Sequence, residues 1–326
     1  MGLTREGRLL TLAKVVASAT LAVAMVNVSS KAQQSADVAQ RRRPGIGSFG
    51  RRVASSLIAL TRQPLGQISR LLDGGYHPDA GSALAARHDA AVIAVENLSV
   101  AYGDRLAVES LTGTFAPAGL TAVVGPNGAG KSSLLKAIAG ILPPRTGRIT
   151  CAASAANLVA YLPQQAELDR DFPITVAELV TLGGWRSFGA FLRPPNVMIE
   201  RMKEATVAAG LDGFTQRPIA ELSVGEFQRA LFARLLLQDA SVILLDEPFA
   251  AIDERTTEDL LQLVKRWCDE GRTVIAVLHD LDQVRAHFPS ALLLARRCIA
   301  WGDTAAILTK DNLVRARKAL ERPDRI

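Results

Sequence analysis

Apolar and polar positions follow two different regimes along this chain, and the change falls near residue 91. Downstream of it, three short continuous apolar runs stand out: Leu120 to Val124, Ser241 to Leu245 and Thr273 to Leu278. Runs of this length, bounded by turn residues, predict strands buried on both faces, as in a parallel sheet. Val92 to Val100 alternates instead, which predicts a half-exposed strand, with Leu111 to Phe115 as its antiparallel neighbour. Arg148 to Thr150 and Leu158 to Tyr161 add further strand, and Ala291 to Ala295 with Cys298 to Trp301 forms a last pair.

The helical period appears between these runs. Ser132 to Ala139 is closed by Gly140, and Val197 to Ala209 is stopped by Gly210. Thr175-Val176-Ala177-Glu178 is a capping box at the head of another helix. Glu226 to Gln238, the amphipathic stretch Glu254 to Asp269, and Asn312 to Leu320 complete the set. Residues 166–240 carry no strand signal. The expectation is an α/β fold with a mainly parallel sheet core, an antiparallel β subdomain and an all-helical insert at about 166–240.

Residues 1–90 read differently, as a basic extension to a folded domain at 91–326. Leu9 to Val28 is apolar apart from Lys14 and small polar residues, and it follows Arg5 and Arg8. That resembles a signal-peptide core or a weak membrane anchor. Lys14, Ser18, Thr20 and Asn27 make it a poor spanning helix. Three readings stay open: a translation start set too far upstream, a disordered basic arm, or an interfacial helix attracted to anionic lipid. Residues 29–90, rich in Ser, Ala, Gly and Arg, read as linker.

Charge sharpens that division. The net charge is +6, but residues 1–72 hold eleven Lys/Arg against Glu6 and Asp37, so the remainder carries −3. The folded part is therefore not basic, and nucleic acid is not an expected partner. Cys151, Cys268 and Cys298 are isolated, which suits a reducing compartment better than a disulfide framework. The four histidines show no metal-ligand spacing.

Candidate chemistry begins at Gly125-Pro126-Asn127-Gly128-Ala129-Gly130-Lys131-Ser132, which fits G-x-x-x-x-G-K-[ST] without a mismatch. It lies between a predicted strand and a predicted helix, so its backbone amides and the helix N-terminus, continued by Ser133, form an anion site. Lys131 would reach the β- and γ-phosphates of a nucleoside triphosphate, and Ser132 would ligate Mg²⁺. Asp246 ends a buried strand, where a Mg²⁺-holding acid belongs, and Glu247 could polarise the attacking water. Gln164 offers a neutral amide to Mg²⁺ or water, His279 could sense the γ-phosphate, and Tyr102 could stack on adenine. Leu222-Ser223-Val224-Gly225-Glu226 opens a helix with free amides, a second anion-binding terminus or a simple Ser223 cap.

In order, these pieces resemble the ATP-binding cassette (ABC) ATPases over residues 92–315. Tyr102 matches the aromatic loop, Gly125 to Ser132 the Walker A, Gln164 the Q-loop and Leu222 to Glu226 the signature. Val242 to Glu247 matches the Walker B, Ala250 to Asp253 the D-loop and His279 the H-loop. The signature departs from LSGGQ as LSVGE, and a β-branched Val224 would be strained if that position needs a positive φ. The resemblance implies ATP hydrolysis by two copies facing head to tail. Ser223, Gly225, Glu226 and Asp253 of one copy would then complete the ATP site of the other. Ser132, Gln164 and Asp246 would hold Mg²⁺, and Glu247 and His279 would be catalytic.

No stretch suits a pore, so the resemblance also implies an integral-membrane permease subunit as partner. A separate periplasmic or extracellular metal-binding protein would deliver the cargo, with this chain peripheral to the cytoplasmic face of the inner membrane. Trp185, Phe188 and Phe191 in the helical insert would either dock the permease or pack the insert. Tyr161 to Gln165, Asp171 to Val176 and Leu278 to Leu281 look similar to zinc and manganese importer ATPases, with zinc the favoured cargo. Alternatives are manganese, iron chelates or haem. A non-transport ABC ATPase acting on nucleic acid or the ribosome is a different class. Against it stand a single cassette and only 92 positions between Lys131 and Ser223.

Overall fold

The structure is a computed structural model that describes residues 92–152, 159–188 and 193–321. The expectations for residues 1–90 and for Phe191 lie outside the described residues. The chain divides into two units, Ala83–Gly184 with Asn196–Ile326, and Met1–Ser82 with Trp185–Pro195. The first carries the strands.

Two sheets organise it. Strands β1 (Val92–Tyr102), β2 (Arg105–Phe115) and β4 (Thr146–Ala152) form an antiparallel sheet in the order β2-β1-β4. The larger sheet combines β3 (Leu120–Val124), β5 (Val159–Leu162), β6 (Val242–Asp246), β7 (Thr273–Val277), β8 (Ser290–Ala295) and β9 (Arg297–Asp303). Its order is β5-β6-β7-β3-β8-β9, parallel except for β9, which returns antiparallel to β8. Every residue of β3, β6 and β7 is buried, as their unbroken apolar runs require. The pair read as consecutive strands after the phosphate-loop helix is split: β4 joins the small sheet and β5 the edge of the large one.

The helices follow in chain order. They are α1 (Lys131–Ile138), α2 (Val176–Thr181), α3 (Trp185–Phe188), α4 (Asn196–Ala208) and α5 (Val224–Gln238). Then come α6 (Glu254–Asp269), α7 (Leu281–His287), α8 (Thr304–Ile307) and α9 (Lys310–Glu321). The Thr175–Glu178 capping box forms as expected, with reciprocal bonds between side chains and backbone amides. In the second unit, Trp185 and Phe188 are half-buried rather than exposed. Helix α5 starts at Val224, two residues earlier than its apolar pattern suggests, because Ser223 and Glu226 form a second capping box.

An aromatic contact is one of the ties between the two sheets, beside the bond from the Glu109 amide of β2 to the Arg296 carbonyl. The Trp301 ring of β9 lies 4.6 Å from that of Phe115 on β2, tilted by 55°. It also covers Gly113, where an added Cβ would fall 2.3 Å from the indole. Gly113→Ala is therefore expected to cost about 1–3 kcal/mol through overpacking. Urea unfolding followed by tryptophan fluorescence checks this, and an unchanged midpoint would refute it.

Candidate functional site

Parallel strands end at the same edge of a sheet, so β3, β5, β6 and β7 deliver their following residues to one place. The loop 125–130 follows β3, Gln164 follows β5, Glu247 follows β6 and His279 follows β7. An open cleft of about 550 Å³ lies there, lined by residues 127–133 on one side and by Gln164, Glu247 and His279 on the other.

The loop is pressed against its neighbours so closely that two of its glycines have no substitute. Gly125 has φ 152° and a Cβ there would sit 2.0 Å from the Leu294 carbonyl oxygen. Gly130 has φ 92° and a Cβ there would sit 2.1 Å from the Ala107 carbonyl oxygen. Gly130 is also the N-cap of α1, and its side is free of any capping side chain. The first amides of a helix have no intrahelical acceptor, so the start of α1 presents donors to the cleft. Lys131 is buried, and its ammonium donates to the carbonyls of Gly125 (2.9 Å) and Pro126 (3.2 Å). Burial lowers its pKa, while the charges of Glu247 and Asp246 pull the other way.

Two adjacent carboxylates occupy the end of β6, and each has its own donors. Asp246 is 1% exposed. Its Oδ1 accepts from the Ser132 hydroxyl at 3.0 Å and its Oδ2 from the Tyr161 phenol at 3.2 Å. Burial raises the Asp246 pKa, opposed by those two hydrogen bonds. Burial, with the charges of Asp246 and Glu167, drives the Tyr161 phenol far above its ordinary range, so it acts as a donor. The Glu247 carboxylate takes the other set: Gln164 Nε2 donates at 2.6 Å and His279 Nε2 lies 2.5 Å from Oε1.

Glu247 is also a backbone exception. Its φ of 52° is left-handed, a conformation that costs a non-glycine residue about 1–3 kcal/mol and persists only where the surroundings impose it. Its amide donates to Val277 of β7 at 3.2 Å, so the neighbouring strand helps to hold the turn.

The donor set fits a magnesium ion. Ser132 and Asp246 offer hard oxygens within hydrogen-bond distance of each other, and Gln164 spends its amide nitrogen on Glu247, leaving its oxygen. A carboxylate as buried as Asp246 is costly without a cation beside it.

Other predicted residues lie apart from this cleft. Tyr102 stands at the end of the β1–β2 hairpin, 44% exposed. Ser223, Gly225, Glu226 and Asp253 gather at the start of α5 instead. Asp253 caps α6 through the Thr256 amide at 2.9 Å, and hydrogen bonds from Thr256 hold its pKa low. Two expectations for the signature change. Val224 is the first residue of α5 and is not among the positive-φ residues, so the β-branched side chain causes no strain. The helix start is also not wholly free to bind an anion, because the Glu226 amide donates to Ser223 Oγ at 3.2 Å.

Sequence reasoning missed Tyr161 as part of the site, and it missed a strap between the cleft and α5. Gln165 Nε2 donates to the buried Gln228 of α5 at 2.5 Å, and Lys136 of α1 pairs with Glu167 at 2.6 Å. Arg170 donates to the Leu222 carbonyl, and its guanidinium lies over the Phe227 ring at 5.0 Å.

The chain is similar to known proteins in sequence and in fold. A family model described as ABC transporter matches residues 108–250. The manganese transport system ATP-binding protein MntB of Listeria monocytogenes is 37% identical over 223 residues, covering 67% of this chain and 93% of its own. The zinc transport system ATP-binding protein TroB of Treponema pallidum is 37% identical over 228 residues, covering 69% and 86%. An ABC transporter assigned to the metal-chelate type, solved in an inward-facing conformation, superposes with a TM-score of 0.63 at 28% identity. That match covers 70% of this chain and 89% of the other.

The raised pKa of Asp246 has a consequence for stability. A carboxyl whose folded pKa exceeds its unfolded one contributes fully below the unfolded value, and stability is lost as pH rises through the folded value. In metal-free protein, Asp246→Asn is therefore expected to melt above the parent at neutral pH. The gap should close as pH falls below about 4, where the carboxyl is protonated in both states. Thermal melts across that range in EDTA check the sign; a gap that widens in acid would contradict it.

Proposed function

The chain belongs to the ABC transporter ATPases, enzymes that bind and hydrolyse ATP, and from that premise we propose that it powers a metal-ion importer, with zinc as cargo. The metal cargo is supported by the names of the relatives, and the observation that supports the hydrolysis is the Glu247 carboxylate, held between Gln164 and His279 across a cleft from the phosphate loop. There it can accept a proton from a water attacking the γ-phosphate, while the loop amides and Lys131 bind the phosphate oxygens. His279 orients Glu247 and contacts the γ-phosphate. Ser132, Asp246 and Gln164 would hold Mg²⁺, which would supply charge neutralisation at the phosphates. The left-handed turn at Glu247 fixes its carboxylate beside both partners.

Other parts follow from the same proposal. Ser223, Gly225, Glu226 and Asp253 serve the ATP site of a second copy, so the working unit is a homodimer. Among the described residues no helix is long and apolar enough to cross a membrane, which supports an integral-membrane permease as a separate subunit. The chain sits at the cytoplasmic face of that permease, and an external metal-binding protein supplies cargo. Residues 91–326 form the ATPase domain and 1–90 an extension to it.

Manganese is the second reading, favoured by the name of the Listeria relative, as zinc is by that of the Treponema one. Deletion of the gene separates them: growth under zinc chelation should fail and recover on added zinc. Recovery on manganese alone would move the cargo to manganese.

For the chemistry, Glu247→Gln should bind ATP with unchanged affinity and turn it over at least about 10²-fold more slowly. Steady-state phosphate release, with a fluorescent ATP analogue to measure binding, checks both parts. Turnover at the parent rate would sink the assignment of Glu247.

A further inference from the structure

Among the described residues, Tyr161 touches a carboxylate of this cleft and the proposed chemistry does not use it. It sits on β5 opposite Leu244 of β6, two residues before Asp246. That register brings its phenol to Asp246 Oδ2 at 3.2 Å while Ser132 holds Oδ1 at 3.0 Å. We propose that Tyr161 is a positioning residue that fixes the plane of the Asp246 carboxylate, and so sets how readily Asp246 and Ser132 together take up the cation that accompanies ATP.

The terminal torsion of an aspartate is broad and roughly two-fold, so one hydrogen bond leaves the carboxylate free to turn about it. Two donors on different oxygens, from a strand and from a helix, define its plane. Asp246 is 1% exposed, so water cannot take over the phenol's part. The Tyr161 ring also packs on the hydrophobic core that lies under β3, β6 and β7. The phenol is thereby anchored independently of the carboxylate it holds. A donor with a fixed origin orients its acceptor; a free one would follow it.

This inference rests on the reading of Ser132 and Asp246 as ligands of Mg²⁺, and its test keeps the two apart. Binding of a fluorescent ATP analogue to the full-length protein is titrated with Mg²⁺ for the parent, Tyr161→Phe and Asp246→Asn. Phe keeps the ring and removes only the hydroxyl. Tyr161→Phe is expected to raise the half-saturating Mg²⁺ concentration about fivefold, a net effect on the scale of one ordinary hydrogen bond. Its affinity for the analogue in EDTA should stay at the parent value, and its melting temperature without metal should fall only by the scale of one lost hydrogen bond. Asp246→Asn should raise the half-point further.

A Tyr161→Phe half-point equal to that of the parent, with Asp246→Asn shifted, would overturn the proposal and leave the metal reading standing. An unshifted Asp246→Asn would overturn the metal reading and the proposal with it. A large loss of melting temperature in Tyr161→Phe would also overturn it, because the hydroxyl would then serve the core rather than the cation.

Discussion

Two carboxylates on consecutive residues, Asp246 and Glu247, must share one buried strand end, and most of the site answers that constraint. Their charges repel, and burial makes Asp246 costly to ionise. The fold separates them by direction. Asp246 continues the extended backbone of β6, whereas Glu247 turns into the left-handed region. Each then meets its own pair of partners, Ser132 and Tyr161 for the first, Gln164 and His279 for the second. Those partners come from the ends or beginnings of β5, α1 and β7, which lie together only because the strand order is β5-β6-β7-β3. The sheet topology is thus the means by which one pair of acids is kept in two states of use.

The cleft is also mechanically joined to the helical segment. Gln164 and Gln165 are neighbours in sequence, yet one bonds Glu247 and the other bonds Gln228 of α5. Arg170 adds a bond to the Leu222 carbonyl at the entry to α5. Lys136 holds the same segment to α1 through Glu167. A shift of Gln164 on binding of a phosphate would therefore be felt at the start of α5 through polar contacts rather than through apolar packing alone. Gln228 is buried, so its bond to Gln165 has no cheap replacement by water.

How much of this was legible in the sequence follows from distance along the chain. The phosphate loop, the buried strands and the Thr175–Glu178 capping box are local patterns, and each formed where its spacing placed it. The start of α5 was harder. Val224 and Gly225 are weak helix formers, so the apolar pattern put the start at Glu226; the Ser223 cap was one of the two readings of that stretch, and only the answering bond from Glu226 went unread. Tyr161 was legible as a strand residue but not as a partner of Asp246, because the contact depends on the register between β5 and β6. The left-handed Glu247 had no local signal, since glutamate has no preference for that conformation and the turn is imposed by the neighbouring β7.

Gly225 is the remaining residue whose identity the chain itself does not explain. It lies in the first turn of α5 with an ordinary helical backbone. A Cβ there would meet Thr256 at 3.4 Å and Asp253 at 3.6 Å, contacts of normal length. An alanine would fit and would favour the helix by roughly 1 kcal/mol. By contrast, Gly125 and Gly130 are demanded by carbonyl oxygens of this same chain. A glycine at a helix start, against propensity and without internal need, would suit the close approach to the backbone that the proposed second copy requires. The first amides of α5 and their helix dipole suit an anion there. Under the proposed pairing, a phosphate bound to the loop of a second copy would be such an anion.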